Sequence, residues 1–220
     1  MRKLFYATGD SDENLNILNG VRTLALCYVI LGHAYFAVMF MGIQANPDLE
    51  SLNAITSPFW WGIVPGGFFA VDVFFFLSGF LAVYLMLVKL YSKRGKANYG
   101  LIYFHRFYRI LPPVLMLMGL FQAFYIFLGS GPNWVTAVKN QMSNCSSYWW
   151  SNALFIENIY PWHFTDECIG WLWYLANDMQ FFIISPIFVV LYCFSRKAGL
   201  VAATSMIFIN GIIVMIITID

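Results

Sequence analysis

The chain has 220 residues, of which 60% are hydrophobic and 10% charged, and its formal net charge at pH 7 is +1. That leaves too few polar side chains to cover a soluble globule of this length, and a net charge near zero argues against a nucleic-acid-binding protein. Five apolar runs are long enough to cross a bilayer: residues 21–41, 68–90, 110–128, 172–194 and 200–219. The sequence therefore predicts an all-α fold, a polytopic transmembrane helical bundle with five spans.

The basic residues predict how this bundle is oriented. With a cytoplasmic N-terminus, eleven of the twelve lysines and arginines fall on or near the cytoplasmic side, and only Lys139 lies outside. We therefore expect residues 1–16 to form a short cytoplasmic segment and residues 129–171 to form an outer loop. The expected location is the secretory pathway or the plasma membrane.

The four cysteines divide by their depth in this topology. Cys27 and Cys193 lie inside predicted spans, where a free cysteine behaves as a small hydrophobic residue. Cys145 and Cys168 share the long outer loop. If that side faces an oxidising compartment, we expect a disulfide between them.

His33 lies inside the first apolar run, with Arg22 eleven positions before it. At about 100° per residue, eleven steps return a helix to nearly the same face, so the two side chains point the same way about 16 Å apart. Ionisable groups inside a membrane span are costly, and they are therefore candidates for function.

Further ionisable residues are placed by counting from the ends of the predicted spans. Asp72 and Asp178 then lie about 6 Å and 9 Å from the outer boundary, and we expect them to converge with His33 in the outer half. Arg106 and Arg109 lie instead at the inner edge and share one helix face, since they are spaced i, i+3. Each has a structural alternative: arginines serve as snorkelling anchors, and the other three can form interhelical hydrogen bonds.

Four strings in order resemble the acyltransferase-3 family, and most of all its animal nose-resistant-to-fluoxetine branch. They are LNGVR through LGH (18–33), AVDVFFFLSGFL (70–81), YFHRFYRILP (103–112) and CIGWLWYLANDMQFFIISP (168–186). The functional motifs of that family are an arginine and a histidine with ten residues between them, and two arginines with two residues between them. They map to Arg22 and His33, and to Arg106 and Arg109.

The family domain has more spans than these five. The resemblance therefore implies that residues 17–220 correspond to its N-terminal half. The remaining spans are then expected from the rest of a longer protein or from a second chain.

The resemblance implies an acyltransferase that moves an acyl group from a cytoplasmic acyl-CoA-type donor to a hydroxyl acceptor at or across the membrane. Arg22, Arg106 and Arg109 would bind the donor phosphates, and His33 would act as general base or carry the acyl group. From its depth, Asp72 or Asp178 would orient the imidazole. No metal and no tightly bound cofactor are expected, and the expected partners are membrane lipids, the acyl donor and the acceptor.

Two other function classes remain open. A transporter or lipid-handling protein would use His33, Asp72 and Asp178 as a polar pathway. A noncatalytic subunit of a larger membrane complex would have the same helical bundle but would not catalyse acyl transfer.

Overall fold

The computed structural model describes residues 12–40, 56–91, 96–131 and 134–219. These residues form six α-helices and no β-strand: α1 (Asp12–Phe40), α2 (Phe69–Leu90), α3 (Tyr99–Phe124), α4 (Trp134–Ala153), α5 (Trp173–Phe194) and α6 (Arg196–Ile219). Five helical segments are long and apolar enough to cross a membrane: Ile17–Tyr35, Trp61–Val88, Tyr99–Phe127, Gly170–Phe194 and Arg196–Ile213. The predicted all-helical bundle with five spans is confirmed, and the chain is a multi-pass membrane protein.

The third span begins eleven residues earlier than its apolar run predicts. Asn98 caps α3, because its side-chain oxygen accepts a hydrogen bond of 3.1 Å from the Leu101 backbone N–H. Arg106 and Arg109 therefore lie within α3 and not before its first turn. The apolar run underestimates this helix because its first turns carry basic side chains.

The chain divides into two compact units within α2, between Phe80 and Leu81. In the first unit, α1 packs against the short 3-10 helices Phe59–Ile63 and Pro65–Phe68 that precede α2. A Cβ atom at Gly67 would lie 3.3 Å from the Gly32 Cα atom, so the two glycines allow a close backbone approach. The Tyr28 hydroxyl donates a hydrogen bond to the Ile63 carbonyl and fixes the same contact.

In the second unit, α3 and α5 are antiparallel neighbours. The Tyr103 hydroxyl donates a hydrogen bond of 3.0 Å to the Ile183 carbonyl, whereas Arg106, further along α3, pairs with Asp178, which lies earlier in α5. The core of this unit draws buried side chains from both helices, among them Met118, Phe121, Ala176 and Met179. Because α6 follows α5 after Ser195 alone, these two helices also pack together.

Helix α4 and the residues up to 172 occupy the segment that the sequence predicts to be an outer loop. We call residues 134–172 the disulfide-bridged segment. The helix runs antiparallel to α3, because Gln122 contacts the Met142 carbonyl and Phe107 contacts Phe155. Phe107 and Gln122 are fifteen residues apart, which is about 22 Å along a helix. The segment is therefore packed along α3, and it begins with a helix that the sequence does not predict. This helix is not one of the five candidate spans, so the segment remains a connection between spans.

Candidate active site

Arg22 and His33 both lie in α1, as the spacing of the two residues predicts. The helix is continuous between them, so eleven residues at 1.5 Å each separate them by about 16 Å along its axis. Arg22 is half-buried and His33 is exposed. His33 follows Gly32 directly, so it lies beside a close approach between the backbones of α1 and Pro65–Phe68.

The imidazole of His33 is oriented by its own helix. Its Nδ1 atom lies 2.9 Å from the Val29 carbonyl oxygen. A carbonyl oxygen can only accept, so Nδ1 carries the proton and donates it to Val29. In the neutral ring this leaves the lone pair on Nε2, which is the atom able to accept a proton from a substrate.

Asp72 lies in the first turn of α2 and is exposed. Among the described residues, no hydrogen bond or ion pair joins it to His33. From the sequence, Asp72 or Asp178 is expected to orient the His33 ring. In the structure the Val29 carbonyl oxygen does so.

Asp178 has a different partner from the one expected. It forms an ion pair with Arg106, joining Asp178 Oδ2 to Arg106 Nη2, and the two side chains are 15% and 13% exposed. The expectation that Asp178 lies in the outer half of the bundle while Arg106 lies at the inner edge is therefore wrong. The two residues meet because α3 begins earlier than predicted, which puts Arg106 in its second turn.

The two arginines of the motif have different surroundings. The Arg106 Cζ atom lies 4.1 Å from the centroid of the Phe182 ring, a distance suited to a cation–π contact. Arg109, three residues further along α3, is exposed. The spacing predicts one shared helix face, but burial makes Arg106 the held member of the pair and Arg109 the accessible one.

The turn after α4 lies next to this ion pair. Phe155 is buried against Phe107, the neighbour of Arg106 in sequence. Asn158 donates hydrogen bonds of 2.8 and 3.1 Å to the side-chain oxygens of Asn177 and Gln180 in α5, and Gln180 donates to the Phe155 carbonyl. The disulfide-bridged segment therefore forms one wall of the region around Arg106.

Two carboxyl groups are buried inside the disulfide-bridged segment. Glu157 is fully buried, and its two carboxyl oxygens make no hydrogen bond of good geometry with the described residues. Burial raises the pKa of Glu157 to about 7; the backbone N–H and the Asn152 side chain lower it in part, and the charge of Glu167 raises it further. Burial also raises the pKa of Glu167. Sequence reasoning did not single out either residue.

The predicted disulfide between Cys145 and Cys168 is confirmed, and it links α4 to the residues before α5. Tyr103, Phe182 and Asn158 are further residues of this region that sequence reasoning missed. A signal for two of them was present, because Tyr103 precedes Arg106 by three residues and Phe182 follows Asp178 by four. Such spacings put each pair on one helix face.

Residues 15–219 match the acyltransferase-3 family, described as an acyltransferase domain. The chain is 32% identical to nose resistant to fluoxetine protein 6 of Caenorhabditis elegans, over 94% of the chain and 26% of that protein. It is 22% identical to regulator of hypoxia-inducible factor 1 of the same organism, over 90% of the chain and 39% of that protein.

A bacterial relative comes from Staphylococcus aureus (strain COL) and carries the name "Putative O-acetyltransferase". The chain is 30% identical to it over 66% of the chain and 24% of that protein. The chain thus spans between about a quarter and two-fifths of the length of these curated relatives. No solved structure matched the chain.

Proposed function

The chain belongs to the acyltransferase-3 family, and we propose that it carries the donor-binding and proton-transfer residues of a membrane O-acyltransferase. The donor is an acyl-CoA-type thioester on the cytoplasmic side, and the acceptor is a hydroxyl group at or across the membrane. Acyl-CoA acts as a co-substrate. The observation that carries the proposal is the His33 ring, which is held by Val29 with Nε2 as its basic atom, on the same helix as Arg22.

The chemistry assigns His33 as general base. Nε2 takes the proton from the acceptor hydroxyl while the oxygen bonds to the thioester carbonyl carbon. The carbon–sulfur bond then breaks, and the imidazolium returns the proton to the departing thiolate. Atoms and charge balance without a metal or an oxidant.

The three arginines bind the acyl donor. Arg22, Arg106 and Arg109 are permanently charged, and guanidinium groups suit phosphate oxygens. The distance of about 16 Å between Arg22 and His33 resembles the reach of a pantetheine arm, so a donor bound near Arg22 would bring its thioester towards the imidazole.

We place the N-terminus and the basic connections in the cytoplasm and the Cys145–Cys168 disulfide on the opposite side. The distribution of lysines and arginines supports this orientation. The disulfide between Cys145 and Cys168 supports it as well, because such bonds persist in oxidising compartments. The compartment is then the secretory pathway or the plasma membrane.

The test uses the native gene product in nanodiscs made with lipids of its own membrane, with radiolabelled acetyl-CoA as donor. We expect His33→Ala to lower acyl transfer by a factor of about 10² to 10⁴ while leaving coenzyme A binding largely intact. His163→Ala, which removes an exposed histidine of the disulfide-bridged segment, is the matched control and should retain activity. Donor affinity and turnover are measured separately, because the two roles cannot be told apart in a combined assay.

Near-normal turnover of His33→Ala would remove the general base from the proposal. A protein that binds no coenzyme A and copurifies stoichiometrically with other membrane subunits would favour the noncatalytic alternative. Substrate movement without acyl-CoA turnover would favour a transporter.

A further inference from the structure

The Arg106 guanidinium is constrained from two directions by residues of α5. Asp178 holds one of its nitrogens through the ion pair, and the Phe182 ring lies 4.1 Å from its central carbon. Asp178 and Phe182 are four residues apart and so lie one above the other on α5. An ion pair fixes the position of a guanidinium, and a ring against it fixes the plane.

The backbone that carries these groups is fixed as well. The Tyr103 hydroxyl, one turn before Arg106, donates to the Ile183 carbonyl, one residue beyond Phe182. Phe107, the residue after Arg106, packs on the buried Phe155 with their ring centroids 5.7 Å apart. Tyr103 therefore holds α3 to α5 directly on one side of the ion pair. On the other side Phe107 packs on Phe155, whose carbonyl accepts a hydrogen bond from Gln180 of α5.

Among the residues that the structure describes, no ion pair or stacked ring constrains Arg109 in this way. It lies three residues further along α3 and is exposed. A free arginine side chain loses rotamer entropy when it is fixed, and a preorganised one avoids that loss on binding. The motif thus contains one arginine that is held before a ligand arrives and one that must be ordered by it.

We propose that Asp178 is a positioning residue: with Phe182 it holds the Arg106 guanidinium in the orientation in which that group receives an anionic part of the acyl donor. The inference rests on the proposed role of Arg106 in donor binding. A guanidinium has five N–H donors, more than one carboxylate can use, so the group can bridge Asp178 and a phosphate oxygen. In this proposal Asp178 orients Arg106, whereas the Val29 carbonyl orients His33.

The experiment maps arginine modification by phenylglyoxal with mass spectrometry, on the native protein in nanodiscs, with and without coenzyme A. In the wild-type protein we expect Arg106 to react more slowly than Arg109. Asp178→Asn keeps the size of the side chain and removes its charge, and it should raise the Arg106 rate roughly tenfold relative to Arg109 and to Arg196. It should also weaken the protection of Arg106 by coenzyme A and raise KM for the donor more than it lowers kcat.

Two further variants separate positioning from general stability. Asp178→Glu keeps the charge and should restore most of the wild-type modification pattern. Phe182→Leu keeps an apolar side chain and the ion pair, so it should raise the Arg106 rate by less than Asp178→Asn does. Asp166→Asn, a carboxylate in the disulfide-bridged segment with no ion pair among the described residues, is the control and should match the wild type.

The outcomes are distinct. An Arg106 rate that is unchanged in Asp178→Asn, or one that rises equally at Arg109 and Arg196, would overturn the inference. Release of Arg106 with unchanged coenzyme A protection would overturn it too, because the ion pair would then be structural only. If coenzyme A protects none of Arg22, Arg106 and Arg109 in the wild-type protein, the proposed donor site fails and the positioning role fails with it.

If Asp178→Asn does not yield folded protein, Asp178→Glu and Phe182→Leu decide the question. Equal Arg106 rates in the wild type and in Phe182→Leu would then count against the inference.

Discussion

Phe155 packs edge to face on Phe107, with ring centroids 5.7 Å apart and an interplanar angle of 85°. Phe155 ends the turn after α4, and Phe107 is the neighbour of Arg106 in α3. This one contact brings the disulfide-bridged segment to the level of the Arg106–Asp178 ion pair. A change in the segment is therefore expected to reach the site through Phe155.

The first prediction concerns Phe155 itself, which is 2% exposed and has a backbone φ of 59°. Phe155→Ala should lower the free energy of unfolding by about 3–5 kcal/mol, because it leaves a cavity against Phe107. Phe155→Gly should be at least as stable as the alanine variant, since glycine adopts a positive φ without strain. Chemical unfolding in detergent measures both, with Leu154→Ala, whose side chain is 55% exposed, as the control. A glycine variant clearly less stable than the alanine variant would contradict the assigned backbone conformation.

The second prediction concerns the disulfide, whose cysteines are 23 positions apart. Closing a loop of that size stabilises the folded state by about 3 kcal/mol on the chain-entropy estimate, so Cys145→Ser should cost about that much. Cys27→Ser, which replaces a free cysteine of α1, is the control and should change little. Peptide mapping without reductant should recover the linked pair. Free thiols at both positions in protein purified without reductant would refute the bond.

The third prediction is the orientation of the chain in the membrane. In a background with Cys27→Ser and Cys193→Ser, an Ala97→Cys variant should be protected from an impermeant maleimide added outside sealed vesicles. A Ser130→Cys variant should react, because position 130 follows the end of α3 and position 97 precedes its start, so a helix that crosses the membrane separates them. Both positions are exposed in the structure, so burial would not explain a difference. Labelling of position 97 from outside would reverse the proposed orientation.

The sequence could place Arg22 relative to His33 because both lie in one helix, where 3.6 residues per turn fix direction and distance. It could also place the Cys145–Cys168 bond, because only two cysteines lie outside the predicted spans. The ion pair between Arg106 and Asp178 could not be placed in the same way. The predicted depth of Arg106 depends on where the third span begins. An error of eleven residues in that start is about 16 Å along a helix.

Helix α4 escaped prediction for a related physical reason. Its sequence mixes serine, asparagine and glutamine with tryptophan and methionine, so no long apolar run marks it. It is stabilised by packing along α3 and by the disulfide, both of which are long-range contacts. The buried Glu157 depends on the same contacts, which bring Asn152 and Glu167 near it. Composition and periodicity alone do not predict such long-range contacts.

The last prediction concerns the pH dependence of stability that follows from Glu157. Its pKa is raised in the folded protein to about 7 from an ordinary value of 4.5, so between these values the folded state binds more protons than the unfolded state. The contribution of Glu157 to stability is then greatest below pH 4.5, and it is lost as pH rises towards 7. Glu167 acts in the same direction, because burial raises its pKa too. At 1.36 kcal/mol per pKa unit, the loss from Glu157 is at most about 3 kcal/mol.

Glu157→Gln isolates this contribution, because the amide resembles the protonated acid and does not ionise. We expect the variant to match the wild type at pH 5 and to be the more stable of the two at pH 8, with thermal unfolding in detergent as the measurement. Asp166→Asn, nine positions along the same segment and less deeply buried, should leave the wild-type pH profile unchanged. If the wild-type protein gains stability between pH 5 and pH 8, or if Glu157→Gln keeps the wild-type slope, then Glu157 is not the neutral buried acid that its surroundings indicate.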